Sequence, residues 1–240
     1  VIGELIILVV SVPTLAFVAV ILVPYTYAKW SIRSLAIRCR RAKALVLTYD
    51  DGPGAELTPE LVKLLRRHQV RATFFSLGRH VLQRPAILDL VVAEGHELGC
   101  HGFGHRHSWK TGPQQAVDDI ALGYNTLARW MPPDGMFRPP YGKITLFTWL
   151  AVWKRGAHLA WWTHDSGDTR TGPLPLVENV VDEIIQSGGG VVLMHDFDRG
   201  TQNGRHPRQE FVLTLTERLI EGTAKARMKT MTLGELLSVK

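Results

Sequence analysis

Five short polar clusters interrupt the apolar runs of this chain: Asp50-Asp51-Gly52, the segment from His101 to His105, Arg138 with Tyr141, Asp165 with Asp168, and His195-Asp196. Carboxylates and imidazoles are the side chains that ligate divalent metals and move protons. Two adjacent carboxylates repel each other, so Asp50 and Asp51 need a cation or an arginine to neutralise at least one of them. His101 and His105 stand four residues apart and meet on one face if their segment takes a helical turn. Two imidazoles and one carboxylate make a facial set that leaves coordination positions open for water and substrate. His107 is a third candidate ligand, at a spacing less suited to the same face. Arg138 carries a permanent charge able to hold a carboxylate ionised and oriented. A carboxylate such as Asp165 would orient His195 and favour its protonated form. Singly, each cluster has an ordinary structural explanation, since Asp, Gly and Pro are turn formers and a lone histidine is more often a structural residue. Their order along the chain is the stronger signal.

The elements that must position these residues follow from periodicity. Beyond Lys43, short apolar runs alternate with amphipathic stretches, the pattern of β-α units around a parallel sheet. Strands are expected at 44–49, 72–77, 96–100, 136–138, 159–163, 191–194 and 229–232. Helices are expected from Thr58 as N-cap, with Leu61, Leu64 and Leu65 on one face, and near 113–130, 144–154, 176–187 and 208–221. Seven units suit a distorted (β/α) barrel, and every polar cluster then falls at the carboxyl end of a strand, the rim where barrel active sites lie. An open doubly wound sheet is the alternative, and the chain offers no Gly-rich phosphate loop in its support.

The 240 residues carry a net charge of +6, a balance that raises the question of nucleic-acid binding. Six of the positive charges, Lys29, Arg33, Arg38, Arg40, Arg41 and Lys43, lie in one short stretch, and from Ala44 onward 22 basic residues face 21 acidic ones. A nucleic-acid groove is thereby excluded. Cys39 and Cys100 are too few for a disulfide scaffold or a cysteine-rich zinc module. Residues 5–28 contain no charge, which reads as a single transmembrane helix over residues 1–28, followed by a basic juxtamembrane linker at 29–43 able to meet membrane lipid, and a catalytic domain at 44–240. The basic stretch favours a cytoplasmic domain, while long domains are translocated despite such charges. A cleaved signal peptide fits less well, because the apolar run is too long.

The ordered motifs Thr48 to Pro53, His101 to His105, Arg138 to Gly142, Asp165 to Asp168 and Leu193 to His195 resemble those of the polysaccharide deacetylase family, the carbohydrate esterases with a nodulation-type deacetylase domain. The resemblance spans about residues 44–240. It implies a distorted seven-unit barrel and a metal-dependent hydrolase that removes N-acetyl groups from amino sugars in a polysaccharide such as peptidoglycan, a chitin-like oligomer or an exopolysaccharide. Because such polymers lie outside the cell, the resemblance favours the extracytoplasmic face for the domain behind the expected membrane anchor. By position, Asp50 would be the general base and His195 the general acid. Asp51, His101 and His105 would hold one divalent metal, most often zinc in the family, with other first-row metals open. Arg138 would orient Asp50, Asp165 would tune His195, the Tyr141 amide would face the oxyanion, and Leu193 would line the acetyl pocket. A lipid-linked amino sugar as substrate, or a non-catalytic carbohydrate-binding protein, are the alternatives. Gly102 stands where the family commonly has Ser or Thr, and Thr169 where it often has tryptophan.

Overall fold

The computed structural model describes residues 14–15, 17–198 and 206–239. Its strands are β1 (Ala44–Asp50), β2 (Thr73–Ser76), β3 (Glu97–Cys100), β4 (His164–Asp165), β5 (Gly190–His195) and β6 (Lys229–Thr230). All pairings are parallel, in the order β3-β2-β1-β5-β4, with β6 joined to the start of β1. Two segments expected as full strands contribute single bridges: Phe137 pairs with Cys100 on one side and with Leu159 on the other. A few residues on, the Thr163 amide donates to the Val191 carbonyl at 2.9 Å. The segment from Leu159 to Asp165 therefore carries the sheet round from Phe137 to β5, giving a barrel-like α/β fold.

Before β1 lies α1 (Val23–Ala42); α2 (Leu57–Arg67) follows β1, α3 (Gly78–Gln83) and α4 (Pro85–Ala93) follow β2, and α5 (Pro113–Leu127) follows β3. Then come α6 (Leu146–Trp153), α7 (Val177–Gln186), α8 (Pro207–Lys225) and α9 (Leu233–Ser238). Strand alternation assigns the two faces. Leu45, Leu47 and Tyr49 of β1, with Val192 and Met194 of β5, join the core formed with α2, α5, α7 and α8. Ala44, Val46, Phe75 and Val191 form a second, inner cluster with Leu35 and Cys39 of α1 and Leu233 and Leu236 of α9. The inner face is thus apolar at its base, and further along β1 and β5 the same parity carries Thr48, Asp50, Leu193 and His195. Apolar contacts plug one end of the barrel, and polar groups gather at the other.

This packing corrects the expectation of a membrane span. Among the described residues no helix is long and apolar enough to cross a membrane. Residues 29–43 are not a linker: they belong to α1, which buries Pro24, Ala28, Leu35 and Cys39 against the domain and ends at Lys43 in the left-handed conformation. Its basic residues meet the carboxyl ends of neighbouring helices, Arg38 donating to the Leu237 and Val239 carbonyls at 3.4 and 3.3 Å and Arg40 to that of Ser187 at 3.3 Å. The run of uncharged residues is read by hydropathy as lipid-facing, whereas part of its described portion covers the barrel base. Residues 1–13 of the expected span lie outside the described residues. The single-pass placement, the orientation derived from it and the membrane-lipid partner are withdrawn with the span.

The start of α2 also differs from expectation. Thr58 lies inside the helix, its hydroxyl donating to Asp196 Oδ2 at 2.7 Å, while the Glu56 and Leu57 amides donate to the Asp198 carboxylate at 3.2 and 3.0 Å. A remote carboxylate takes the place of a local cap and satisfies the free helix amides.

Candidate active site

At the end of β1 the two carboxylates have separate partners. Asp50 Oδ1 accepts from Arg138 Nη1 at 2.8 Å, and Asp50 and Arg138 are 2% and 0% exposed. Arg138 Nη1 also donates to Thr48 Oγ1 at 2.7 Å and Nη2 to the Trp161 carbonyl at 3.2 Å, while the guanidinium lies over the Phe75 ring at 4.0 Å. A buried ion pair is tolerated when further hydrogen bonds satisfy it, and here they also fix the direction in which Asp50 points. The second oxygen of Asp50 lies 3.7 Å from His101 Nε2.

Asp51 faces the histidines. One ligand atom from each of Asp51, His101 and His105 lies within 4.8 Å of the other two. Asp51 Oδ1 stands 3.5 Å from His101 Nε2 and 3.3 Å from His105 Nε2, is buried, and has no hydrogen-bond partner. His101 Nδ1 lies 2.7 Å from the Arg138 carbonyl oxygen and must donate to it, so a neutral His101 turns a bare Nε2 lone pair toward that orphaned oxygen. His105 is pushed down to about 4 by burial, which outweighs the attraction of Asp51. Burial opposes ionisation of Asp51, yet the surrounding imidazoles hold its carboxyl below the ordinary value. Converging lone pairs with no proton between them are what a divalent cation requires, and the set fits one.

The histidines meet by a different route from the helical turn expected. The segment after β3 is a loop, with Gly102 at φ 83° and His105 at φ 60°. Asp119, on α5, holds that loop from beneath, accepting from the Phe103 and Gly104 amides at 3.1 and 2.8 Å. A Cβ at Gly102 would stand 2.5 Å from Asp119 Oδ2, which accounts for the absence of Ser or Thr there. Asp119 escaped the sequence reading; its signal was a lone acid on the apolar face of α5, beside Ala116, Ile120 and Gly123, all buried. His80 was also missed, and its Nδ1 donates to the Asp51 carbonyl at 2.6 Å, bracing a residue at φ 74°. Strained non-glycine backbone of this kind collects at functional sites.

The assignment of Asp165 is corrected. Asp165 is exposed, and its carboxylate accepts the Gly167 amide at 2.8 Å in a local turn. That turn swings Asp168 inward instead: His195 Nδ1 donates to Asp168 Oδ1 at 3.0 Å, the His195 amide donates to Oδ2 at 3.0 Å, and Ser166 Oγ donates to Oδ1 at 3.0 Å. Burial alone would lower the pKa of His195, but the hydrogen bond and charge of Asp168, with Asp50 and Asp51 behind, hold it at about 9.

Tyr141 also adopts left-handed backbone, φ 58°, at the centre of the turn Pro140–Gly142, and the residue is 56% exposed. The hydrogen bonds of that turn run from the Gly142 and Lys143 amides. Leu193 is 6% exposed, paired in register with Thr48 and Asp165, and belongs to neither apolar cluster.

A barrel-like α/β domain that gathers carboxylates, imidazoles and an arginine at one end of its parallel strands has the layout of a barrel enzyme whose loops carry the reacting groups. Residues 37–159 match the polysaccharide deacetylase family, and the chain belongs to that family of carbohydrate N-deacetylases. It is 29% identical over 219 residues to a peptidoglycan-N-acetylglucosamine deacetylase of Bacillus cereus, covering 90% of this chain and 96% of that one. It is 31% identical over 159 residues to a chitooligosaccharide deacetylase of Bradyrhizobium, covering 64% and 71%. Among solved structures it resembles a family 4 carbohydrate esterase from Streptomyces lividans in complex with acetate, with TM-score 0.65, 26% identity, and 78% and 92% of the chains covered.

Proposed function

We propose that this chain hydrolyses the N-acetyl groups of N-acetylglucosamine-type units in a glycan, either peptidoglycan or a chitin-like oligomer, with Asp51, His101 and His105 holding one divalent metal. The observation that carries this reading is the orphaned, buried Asp51 oxygen between two imidazole nitrogens, flanked by Asp50 on Arg138 and His195 on Asp168. The donor set of two nitrogens and one oxygen suits zinc and also other first-row divalent ions. Such an ion supplies Lewis-acid polarisation and lowers the pKa of water.

The remaining chemistry belongs to the chain. Asp50, held in place by Arg138, takes the proton of the attacking water. The Tyr141 amide, which the turn's own hydrogen bonds leave unused, donates to the developing oxyanion. His195, protonated at neutral pH, gives its proton to the departing amine, and Asp168 keeps the imidazolium stable until that step. Leu193 offers an apolar wall for the acetyl methyl. The products are acetate and a free amino sugar. Acetate release from N-acetylchitooligosaccharides and from cell-wall glycan, abolished by a chelator and restored by a divalent metal, is expected; no acetate from either substrate under metal-replete conditions would refute the reading.

A further inference from the structure

An aromatic series leads away from the histidine pair. The His105 ring lies 4.5 Å from that of Tyr141, Tyr141 4.9 Å from His107, and His107 6.4 Å from Trp109. At its far end Trp109 is 39% exposed, yet it is fixed: its indole N–H donates to the Ile144 carbonyl at 2.9 Å, and Tyr25 of α1 packs against it at 6.3 Å. An exposed indole held from two sides has little rotamer entropy left to lose on binding, the usual condition of a recognition residue.

Polar groups accompany the rings. The Trp109 amide donates to His107 Nδ1 at 3.2 Å, so neutral His107 carries its proton on Nε2. Lys143 Nζ lies over the Trp109 ring, 4.6 Å from its centroid, and brings a cationic donor on a long flexible stem to the same ledge. A pyranose ring has an apolar C–H face and a rim of hydroxyls. A fixed indole accompanied by N–H donors, one of them on a side chain long enough to swing from over the ring to a sugar hydroxyl, is complementary to both.

We propose that Trp109, with His107 and Tyr141, forms a ledge that binds the sugar ring next to the one being deacetylated, so that the protein selects glycan chains over short saccharides. The inference rests on the reading of the site as a glycan deacetylase and deepens it. It also gives α1 a part in recognition, since Tyr25 braces the indole from the helix that closes the barrel base.

The test compares acetate release from N,N′-diacetylchitobiose and from the N-acetylated pentasaccharide. Wild type should show the higher kcat/KM on the pentasaccharide. Trp109→Ala should lower the ratio of the two kcat/KM values about tenfold, mainly through KM, as expected for loss of one aromatic contact; Trp109→Phe should retain most of the ratio. A ratio unchanged in Trp109→Ala, or a loss confined to kcat, would overturn the ledge. If wild type releases no acetate from either saccharide, the proposed activity fails, and calorimetric titration of both proteins with the pentasaccharide decides the ledge separately. Binding weakened by Trp109→Ala would uphold it, and equal or absent binding would overturn it.

Discussion

Asp168, three residues beyond the exposed Asp165, grips both the ring and the backbone amide of His195, with Nδ1 at 3.0 Å from Oδ1 and the amide nitrogen at 3.0 Å from Oδ2. A single carboxylate thereby sets where the imidazole sits and keeps it protonated. His195 is held at about 9, above the unfolded imidazole value of about 6.5, so the acid form is complete below that lower value and is lost as pH rises through the higher one. The basic limb of the kcat/KM profile should therefore fall near pH 9. In Asp168→Asn it should move acidward, because burial is then opposed only by the weaker attraction of Asp50 and Asp51. Asp165→Asn should leave the limb in place. A limb that moves in Asp165→Asn and stays in Asp168→Asn would reverse the assignment.

The ion pair of Arg138 with Asp50 is completely enclosed, so its loss is expected to be costly in a way that surface pairs are not. Arg138→Met leaves the Asp50 charge buried without a partner, and urea unfolding should show a loss of about 3–5 kcal/mol. A loss below about 1 kcal/mol, the range of exposed pairs, would mean that the enclosed pair contributes no more than a surface one.

Gly102 combines a φ of 83° with a close approach of Asp119, so a methyl group there meets both strain and a clash. Gly102→Ala should destabilise the protein by about 1–3 kcal/mol and weaken metal retention, because the loop carrying His101 and His105 must shift. Gly112→Ala, where a Cβ has nothing nearer than Gln115 Oε1 at 4.0 Å, is the comparison and should keep its metal. Equal metal content in both variants would show that the Asp119 support is dispensable.

The strand-and-helix alternation was legible because β1 and β5 are short, nearly continuous apolar runs buried on both faces, and the rim residues were legible because they end those runs. Which carboxylate meets His195 was not, since Asp165 and Asp168 are both polar residues after one strand, and only the turn at Gly167 decides which faces inward. Hydropathy failed at α1 for a related reason: a face of Ala28, Leu35 and Cys39 satisfied by the barrel base looks the same in sequence as one satisfied by lipid. The loop between His101 and His105 was hidden because its geometry comes from Asp119, a residue on a later helix.

If α1 is part of the folded core, its buried and exposed positions should respond differently. Leu35→Ala, at a site 5% exposed, should cost about 2–5 kcal/mol in thermal or urea unfolding. Ile37→Ala, 51% exposed on the same helix, should stay within about 0.5 kcal/mol. Two equally small effects would mean that the helix contributes nothing to the stability of the barrel.

The central claim separates two neighbouring carboxylates into a metal ligand, Asp51, and a proton acceptor, Asp50. Metal content and acetate release measured together on Asp50→Asn test it most directly, because Asp50 Oδ2 lies only 3.7 Å from His101 Nε2 and is itself close enough to be mistaken for a ligand. The account predicts a metal content equal to wild type with turnover reduced by about 100-fold or more. Loss of the metal would make Asp50 a ligand, and turnover near the wild-type rate would place the base elsewhere; either result contradicts the account.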